Sequence, residues 1–436
     1  MTDLLRLSRL AFVDSYDEDG TLIVQAKSIR HHEPYGCCPL FSFSKMGTKT
    51  VRYRDHAIQG QPTWLEIKRQ RFRCNACGKV GYEVLPDIDT ERRITKRFRE
   101  HLQREAIKYP FTMAAEINGV HETLIRRIFD EHAKRVMRKY NVVLPRVLGM
   151  DEIYIMKRPR FVIGDVENSL MLDMQESRKQ TNLNDYFEFI GGGDKVEVVC
   201  QDMWSTYRSV TRKQFPNAVT VIDKYHVQRT ANAAVELVRK AHFIRISNQD
   251  RIRLKRKKGL LLARWDKASD KLKDDLEKLF VEFPNLRAVY EWKERFYDIY
   301  ECETRAAAEK AMTEWMLNLP PEFERPFKQS RDAVKNWRPH ILRYFEHRYT
   351  SAYIERLNGL IRKMNVQGAG YDFSTLRAKA LLKHGRVDRE VEGQKLTNRL
   401  ARTLPAGPRL VPIYGPWRYY GMPLSTLEAD LEAGLL

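Results

Sequence analysis

Three carboxylates constrain this chain more than any other feature, because each stands where a bare charge is costly. Asp151 interrupts the apolar run Val147-Leu148-Gly149-Met150-Asp151-Glu152-Ile153-Tyr154-Ile155. Asp202 closes a second run, Val196-Glu197-Val198-Val199-Cys200-Gln201. Glu355 falls in the first turns of an amphipathic helix that begins near Thr350 or Ser351. Acids at the ends of buried strands need a cation to neutralise them, and a divalent metal is the usual one.

Composition points the same way. With 77 Lys and Arg against 57 Asp and Glu, the formal net charge is +20 over 436 residues. Such an excess argues for a polyanionic partner, because phosphate neutralisation with counterion release supplies most non-specific nucleic-acid affinity. No stretch approaches the ~20 apolar residues of a membrane span. The start, Met1-Thr2-Asp3-Leu4-Leu5-Arg6-Leu7-Ser8-Arg9, lacks a signal-peptide core. Six cysteines in a chain of this length are too few for a disulfide scaffold and favour a reducing compartment and metal binding. A cytoplasmic, nucleoid-associated protein without membrane contact is expected.

The length allows several domains. Residues 1–88 alternate short apolar runs with turn residues and hold four of the six cysteines, as a small β-rich, zinc-finger-like module would. Residues 89–142 are helical and basic. Residues 143–230 alternate strand-like and helix-like segments, the first part of an α/β core. Residues 231–345 are almost wholly helical, and residues 346–390 return to the core with the Glu355 helix. Residues 391–436 form an extension rich in Pro, Gly and aromatics.

Cys74-Asn75-Ala76-Cys77, followed by Gly78 and Lys79, has the form of a zinc-knuckle half-site. The other half is the adjacent pair Cys37-Cys38, with Phe41 where a second C-x-x-C cysteine would stand. All four thiolates, or a set completed by His31, His32 or His56, would hold a structural Zn²⁺; buried free thiols are the alternative. Residues 111–130 carry the offsets of a helix-turn-helix: Ala115 where helices cross, Gly119 in the turn, and Val120, Ile125 and Ile128 sealing the second helix. Ile94, Phe98 and Leu102 supply a third helix at i, i+4 spacing. His121, Glu122, Thr123, Arg126 and Arg127 would then face a DNA groove or its phosphates.

In the α/β segment, strands are predicted at Val147–Ile155, Arg160–Asp165 and Ser169–Gln175, then a fourth ending at Asp202, a helix from about Ser205, and a fifth strand Ala218–Asp223. Gly191-Gly192-Gly193 lacks the Lys-Ser/Thr of a phosphate-cradling loop and reads as a linker. The third acid comes so far after Asp202 that a large helical insertion must separate the fifth strand from the Glu355 helix. That helix has Ile354, Leu357, Ile361 and Met364 on its apolar face. Glu355, Asn358 and Arg362 share a polar stripe, and Gly359 allows a close approach of backbone or substrate.

Residues from about 37 to 385 resemble the ISL-three family of bacterial insertion-sequence transposases. The resemblance rests on Arg71-Phe72-Arg73-Cys74-Asn75-Ala76-Cys77, Gly149-Met150-Asp151-Glu152, Asp202-Met203-Trp204-Ser205-Thr206-Tyr207, Asp223-Lys224-Tyr225-His226 and Ser351 through Lys363. It implies a zinc finger, a helix-turn-helix and an RNase H-like α/β catalytic domain with a large all-helical insertion. It also implies DDE chemistry, with Mg²⁺ or Mn²⁺ held by Asp151, Asp202 and Glu355 for cleavage and strand transfer at terminal inverted repeats. Auxiliary roles would fall to Asp223 and His226, which form an Asp-x-x-His motif, and to Trp204, which could stack on a base or pack in the core. Asn358 and Arg362 would join the DNA contacts. The implied partner is double-stranded DNA, both transposon ends and target, bound by a homodimer. The alternative reading is a sequence-specific DNA-binding regulator, or a domesticated transposase with vestigial acids.

Overall fold

The computed structural model describes residues 7, 9–29, 34–38, 42–244 and 246–385. His31, His32, Phe41 and the 391–436 extension lie outside the described residues.

Seven strands form the first sheet: β1 (Leu10–Glu18), β2 (Thr21–Ser28), β3 (Phe43–Ile58), β4 (Gln61–Cys74), β5 (Val80–Tyr82), β6 (Ile88–Asp89) and β7 (Ile94–Thr95). The β3–β4 hairpin is its spine. It turns at Gln59-Gly60, both at positive φ, which matches the right-handed twist of the strands. Tyr53, Leu65 and Ile67 pack inward with Val24, Ala26 and Ile88.

The sheet gives way to helices at Thr95, whose hydroxyl accepts the Phe98 amide at 3.2 Å and so caps α1 (Lys96–Lys108). Ile94, predicted in the helix, therefore lies in β7, where it pairs with Arg54. Its side chain still joins Phe98 and Leu102 in the helical core. Helices α2 (Phe111–Asn118) and α3 (Glu122–Met137) are joined through Gly119 at φ 57°. Ala115, Ile125 and Ile128 are buried in the same core, with Val120 packed at its edge.

Five further strands make the second sheet: β8 (Val147–Ile155), β9 (Arg158–Asp165), β10 (Leu170–Gln175), β11 (Val198–Gln201) and β12 (Val219–Ile222), in the order β10-β9-β8-β11-β12. The first three are antiparallel, while β11 runs parallel to both β8 and β12. Helices α4 (Gln180–Ile190) and α5 (Ser205–Gln214) cover one face through Phe187, Tyr207 and Phe215 packed on Phe161. Gly191 and Gly192 sit at positive φ after α4, as a linker should.

From Lys224 to His347 every regular element among the described residues is helical. The run begins with α6 (Lys224–Ala241), α7 (Asn248–Arg256), α8 (Lys258–Leu262) and α9 (Asp270–Glu282). It continues with α10 (Pro284–Asp298), α11 (Arg305–Asn318), α12 (Pro321–Glu324), α13 (Lys328–Leu342) and α14 (Tyr344–His347). These helices share one core containing Trp292, Phe296, Trp315 and Phe327. The divisions drawn from sequence at 88/89, 230/231 and 345/346 fall inside β6, α6 and α14. In each case composition changes where the hydrogen-bonded element does not.

Two last helices, α15 (Ala352–Gln367) and α16 (Phe373–His384), return to the second sheet. Lys379 on α16 donates to the Ala106 carbonyl at 2.6 Å and also to that of Tyr109, sealing the C-terminal end of α1. The helical bundle and the sheet are thereby tied by a buried cation on exposed helix-end carbonyls.

Candidate active site

Parallel register sets the site. β11 pairs with β8 up to Cys200 opposite Gly149. Asp202 and Asp151 each lie two residues further on, so the period-two alternation of strands sends both acids to the same face. Gln201 is likewise opposite Ile222 on β12, which puts Asp223 level with Asp202. Asp202 and Asp223 thus directly follow the last residues of β11 and β12, and Asp151, midway along the longer β8, lies level with them.

Glu355 arrives by a different route. Gly149 and Gly164 are partners across β8 and β9, and together they leave a slot for Ile354. A Cβ on either glycine would stand 2.5 to 2.7 Å from the Ile354 side chain. Seating Ile354 there fixes α15 against the sheet and carries Glu355 to the strand ends. At Gly359 no protein atom would come within 4 Å of an added Cβ, so the close backbone approach expected there is not found and the space is open.

His226, in the first turn of α6, occupies the middle. Its Nε2 lies 2.8 Å from Asp202 Oδ1 and 3.6 Å from Glu355 Oε1. Ligand atoms of Asp151, Asp202 and His226 lie within 4.8 Å of one another, and so do those of Asp223, His226 and Glu355. The three acids singled out from sequence are thus split between two overlapping trios that share the histidine. Asp223 also caps α6, accepting the Tyr225 amide at 3.3 Å, and accepts a short hydrogen bond from Ser351.

The electrostatics are those of crowded anions. Burial, and then the charge of Asp202, push the Asp151 carboxyl up to about 7. Burial raises Glu355, with Asp223 adding to the effect. Burial raises Asp223 too, against the hydrogen bond from Ser351. Burial disfavours the charged form of His226, but Asp202 beside it outweighs that and raises its pKa. Asp202 Oδ1 is buried and lacks a well-aligned hydrogen-bond donor, with the His226 imidazole 2.8 Å away. An orphaned carboxylate oxygen among acids with suppressed ionisation, with an imidazole alongside, is a donor set that fits a divalent cation.

Asn358 differs from expectation. It is buried, and its Nδ2 donates to Asp151 Oδ2 at 2.7 Å and to the Glu152 carbonyl at 3.3 Å. It holds the first acid instead of facing DNA, because docking through Ile354 turns that side of α15 inward. Arg362 remains exposed. Trp204 is half-buried against Tyr207, with ring centroids 4.7 Å apart, and the Arg178 guanidinium lies 4.5 Å from its ring centre. Arg178 also pairs with Glu152. Ser351 was read only as the start of the Glu355 helix, not as a partner of Asp223, and Arg178 escaped the sequence reading because it forms part of no recognisable spacing.

Cys37, Cys38, Cys74 and Cys77 come together with all four sulfurs within 4.8 Å of one another. The Cys77 backbone amide leads in lowering the Cys74 thiol to about 7, whereas burial raises Cys37 to about 12. A readily ionised Cys74 beside Cys37 and Cys38, whose thiols are both pushed up, is the pattern that a bound cation relieves. His56 is not part of the cluster. Its ring packs on His101 at 4.6 Å, and its Nε2 lies 3.3 Å from the Arg97 carbonyl. On α3, His121 caps the helix by accepting the Thr123 amide. Arg126 is held by Glu122 at 2.8 Å and lies over Phe111, whereas Thr123 and Arg127 are exposed.

Residues 148–380 match a DDE-type family described as transposase. Residues 36–77 match the zinc-finger of transposase IS204/IS1001/IS1096/IS1165, and residues 83–133 match the helix-turn-helix domain of transposase family ISL3. A zinc-finger, a helix-turn-helix and a catalytic domain in this order define the class, a DNA-processing transposase. The chain belongs to transposase family ISL3. A Bordetella parapertussis protein described as transposase for insertion sequence element IS1001 is 21% identical over 331 residues, covering 74% of this chain and 82% of its own length. The four-cysteine cluster within the zinc-finger match supports a structural Zn²⁺. No helix among the described residues is long and apolar enough to cross a membrane.

Proposed function

We propose that the chain cuts and joins DNA at insertion-sequence terminal inverted repeats, with Asp151, Asp202 and Glu355 as the catalytic acids of an RNase H-like domain. The observation that carries the reading is the meeting of acids from neighbouring strands and a helix acid around His226, with a buried Asp202 oxygen that lacks an aligned donor. The sheet order β10-β9-β8-β11-β12 supports the RNase H-like assignment.

Mg²⁺ or Mn²⁺ would be held by Asp151 and Asp202 with His226, and by Glu355 and Asp223 with the same histidine. When bound, such an ion supplies Lewis-acid stabilisation of charge on phosphate oxygens and a nucleophilic oxygen at neutral pH. The protein groups do the positioning. Asn358 fixes one Asp151 oxygen, and the Glu152 amide holds the other at 2.7 Å. Ser351 orients Asp223, and the Ile354 slot locks Glu355 in place. Arg178 over Trp204 offers a cation at the rim for a scissile phosphate. Arg127 and Thr123 on α3 would contact the DNA end. Pairing two ends calls for two copies of the chain.

The expected result with a duplex bearing the gene's own flanking sequence is Mg²⁺-dependent strand cleavage followed by joined products on gel analysis. Specific binding of that duplex with no nicking at any Mg²⁺ or Mn²⁺ concentration would instead identify a regulator with vestigial acids.

A further inference from the structure

A large cleft lies away from the acids. It has a volume of about 1190 Å³ and runs between the β3–β4 hairpin and the α2–α3 turn. Its walls include Lys49, Arg52, Arg54, Arg92, Arg93 and Lys96, with Trp64 and Tyr82 interleaved. These cations are of two kinds. Arg52 is neutralised by Glu18 and Glu66, and Arg92 by Asp89 and Glu131. Lys49, Arg54, Arg93 and Lys96 have no carboxylate partner among the described residues, and three of them are exposed.

Arg54 is the central member. It is half-buried, its guanidinium lies 5.6 Å from the centre of the Trp64 ring, and its Nε is buried without an acceptor. Its terminal nitrogen reaches to 3.3 Å from where a Cβ on Gly119 would stand. The cation is thus delivered by the first sheet to the turn that starts α3. Val120, His121 and Leu124 complete that wall, so the N-terminal end of α3, with its partial positive charge, opens into the same space.

We infer that this cleft is a second DNA-contact surface, which clamps the phosphate backbone of the duplex read by α3 through Lys49, Arg54, Arg93 and Lys96. The inference rests on the DNA-processing reading above. A cleft that is large, open and cationic suits a polymer of phosphates better than an enclosed small molecule. The Arg54 guanidinium, whose terminal nitrogen reaches the turn before α3, supplies a directed contact, while the exposed cations supply counterion release.

The test is fluorescence anisotropy with a labelled 30-base-pair duplex of arbitrary sequence, titrated at a series of salt concentrations. Each phosphate contact contributes about 0.9 to the slope of log affinity against log salt. The triple variant Arg54→Gln/Arg93→Gln/Lys96→Gln should flatten that slope by about 2.7. The double variant Arg93→Gln/Lys96→Gln leaves the half-buried Arg54 in place, guards against misfolding, and should flatten the slope by about 1.8. Arg127→Gln on α3 serves as the comparator. An unchanged slope in the folded double variant, with binding weakened in Arg127→Gln, overturns the cleft and leaves the DNA-processing reading standing. If the unmodified protein does not bind the duplex even at low salt, that reading falls and the cleft assignment falls with it.

Discussion

Asp202→Ala should remove metal-dependent DNA cleavage, with a loss of about 1,000-fold or more, equivalent to about 4 kcal/mol of transition-state stabilisation. The size follows from its position. Asp202 lies in the trio with Asp151 and His226, and its Oδ1 faces His226 Nε2 at 2.8 Å without a well-aligned hydrogen bond. Removing it takes away a metal donor and the contact with His226 but no buried hydrogen bond of the core, and the fold should survive. Asp151→Ala and Glu355→Ala should lose cleavage to a similar degree, but they differ in stability. Asp151→Ala leaves the buried Asn358 amide without its carboxylate acceptor and should lower the melting temperature. Glu355 is partly exposed, so its removal should leave melting unchanged. Gel assays of cleavage, run with thermal melts, check both parts. Cleavage at the unmodified level in any one variant removes that residue from the site.

The second large effect concerns the cysteine cluster. Structural zinc contributes about 10–16 kcal/mol in isolated finger domains, far more than any single contact in a small sheet. Cys74→Ser should therefore release the metal and unfold the local knuckle. The Cys74 thiol is lowered to about 7 by the Cys77 amide and is buried, so its loss should be felt strongly. Metal analysis should give one zinc per chain for the unmodified protein and none for Cys74→Ser. Cys200→Ser is the control, since Cys200 packs with Val147, Val198 and Val221 in the second sheet and should leave zinc content unchanged. Full zinc retention in Cys74→Ser contradicts the assignment.

What could be read from the sequence follows from how local each signal is. Strand β8 was legible to the residue, because Val147–Ile155 is an apolar run interrupted only by Asp151 and Glu152, the first of which marks the site. The α2–α3 turn was legible because Gly119 must adopt positive φ. The Ile354 slot was not, because it needs the antiparallel register that sets Gly149 against Gly164. Asn358 was misassigned for the same reason. A helical wheel puts it beside Glu355, and only docking decides which part of a polar stripe is buried. The placement of Ile94 failed because Thr95 serves as a cap, which ends the preceding segment whatever the spacing of apolar residues beyond it. His226 could not be told from an ordinary core histidine until β12 was seen beside β11.

The central claim is that the sheet aspartates, Glu355 and His226 form one divalent-metal centre. The most direct measurement is anomalous diffraction from crystals soaked in Mn²⁺, with zinc-edge data collected to separate the cysteine site. The expected result is manganese density contacting Asp202, with Asp151 and His226 or with Glu355, and its loss in Asp202→Ala crystals. Manganese bound elsewhere on the protein, with none at these residues in crystals that still cleave DNA, would contradict the account.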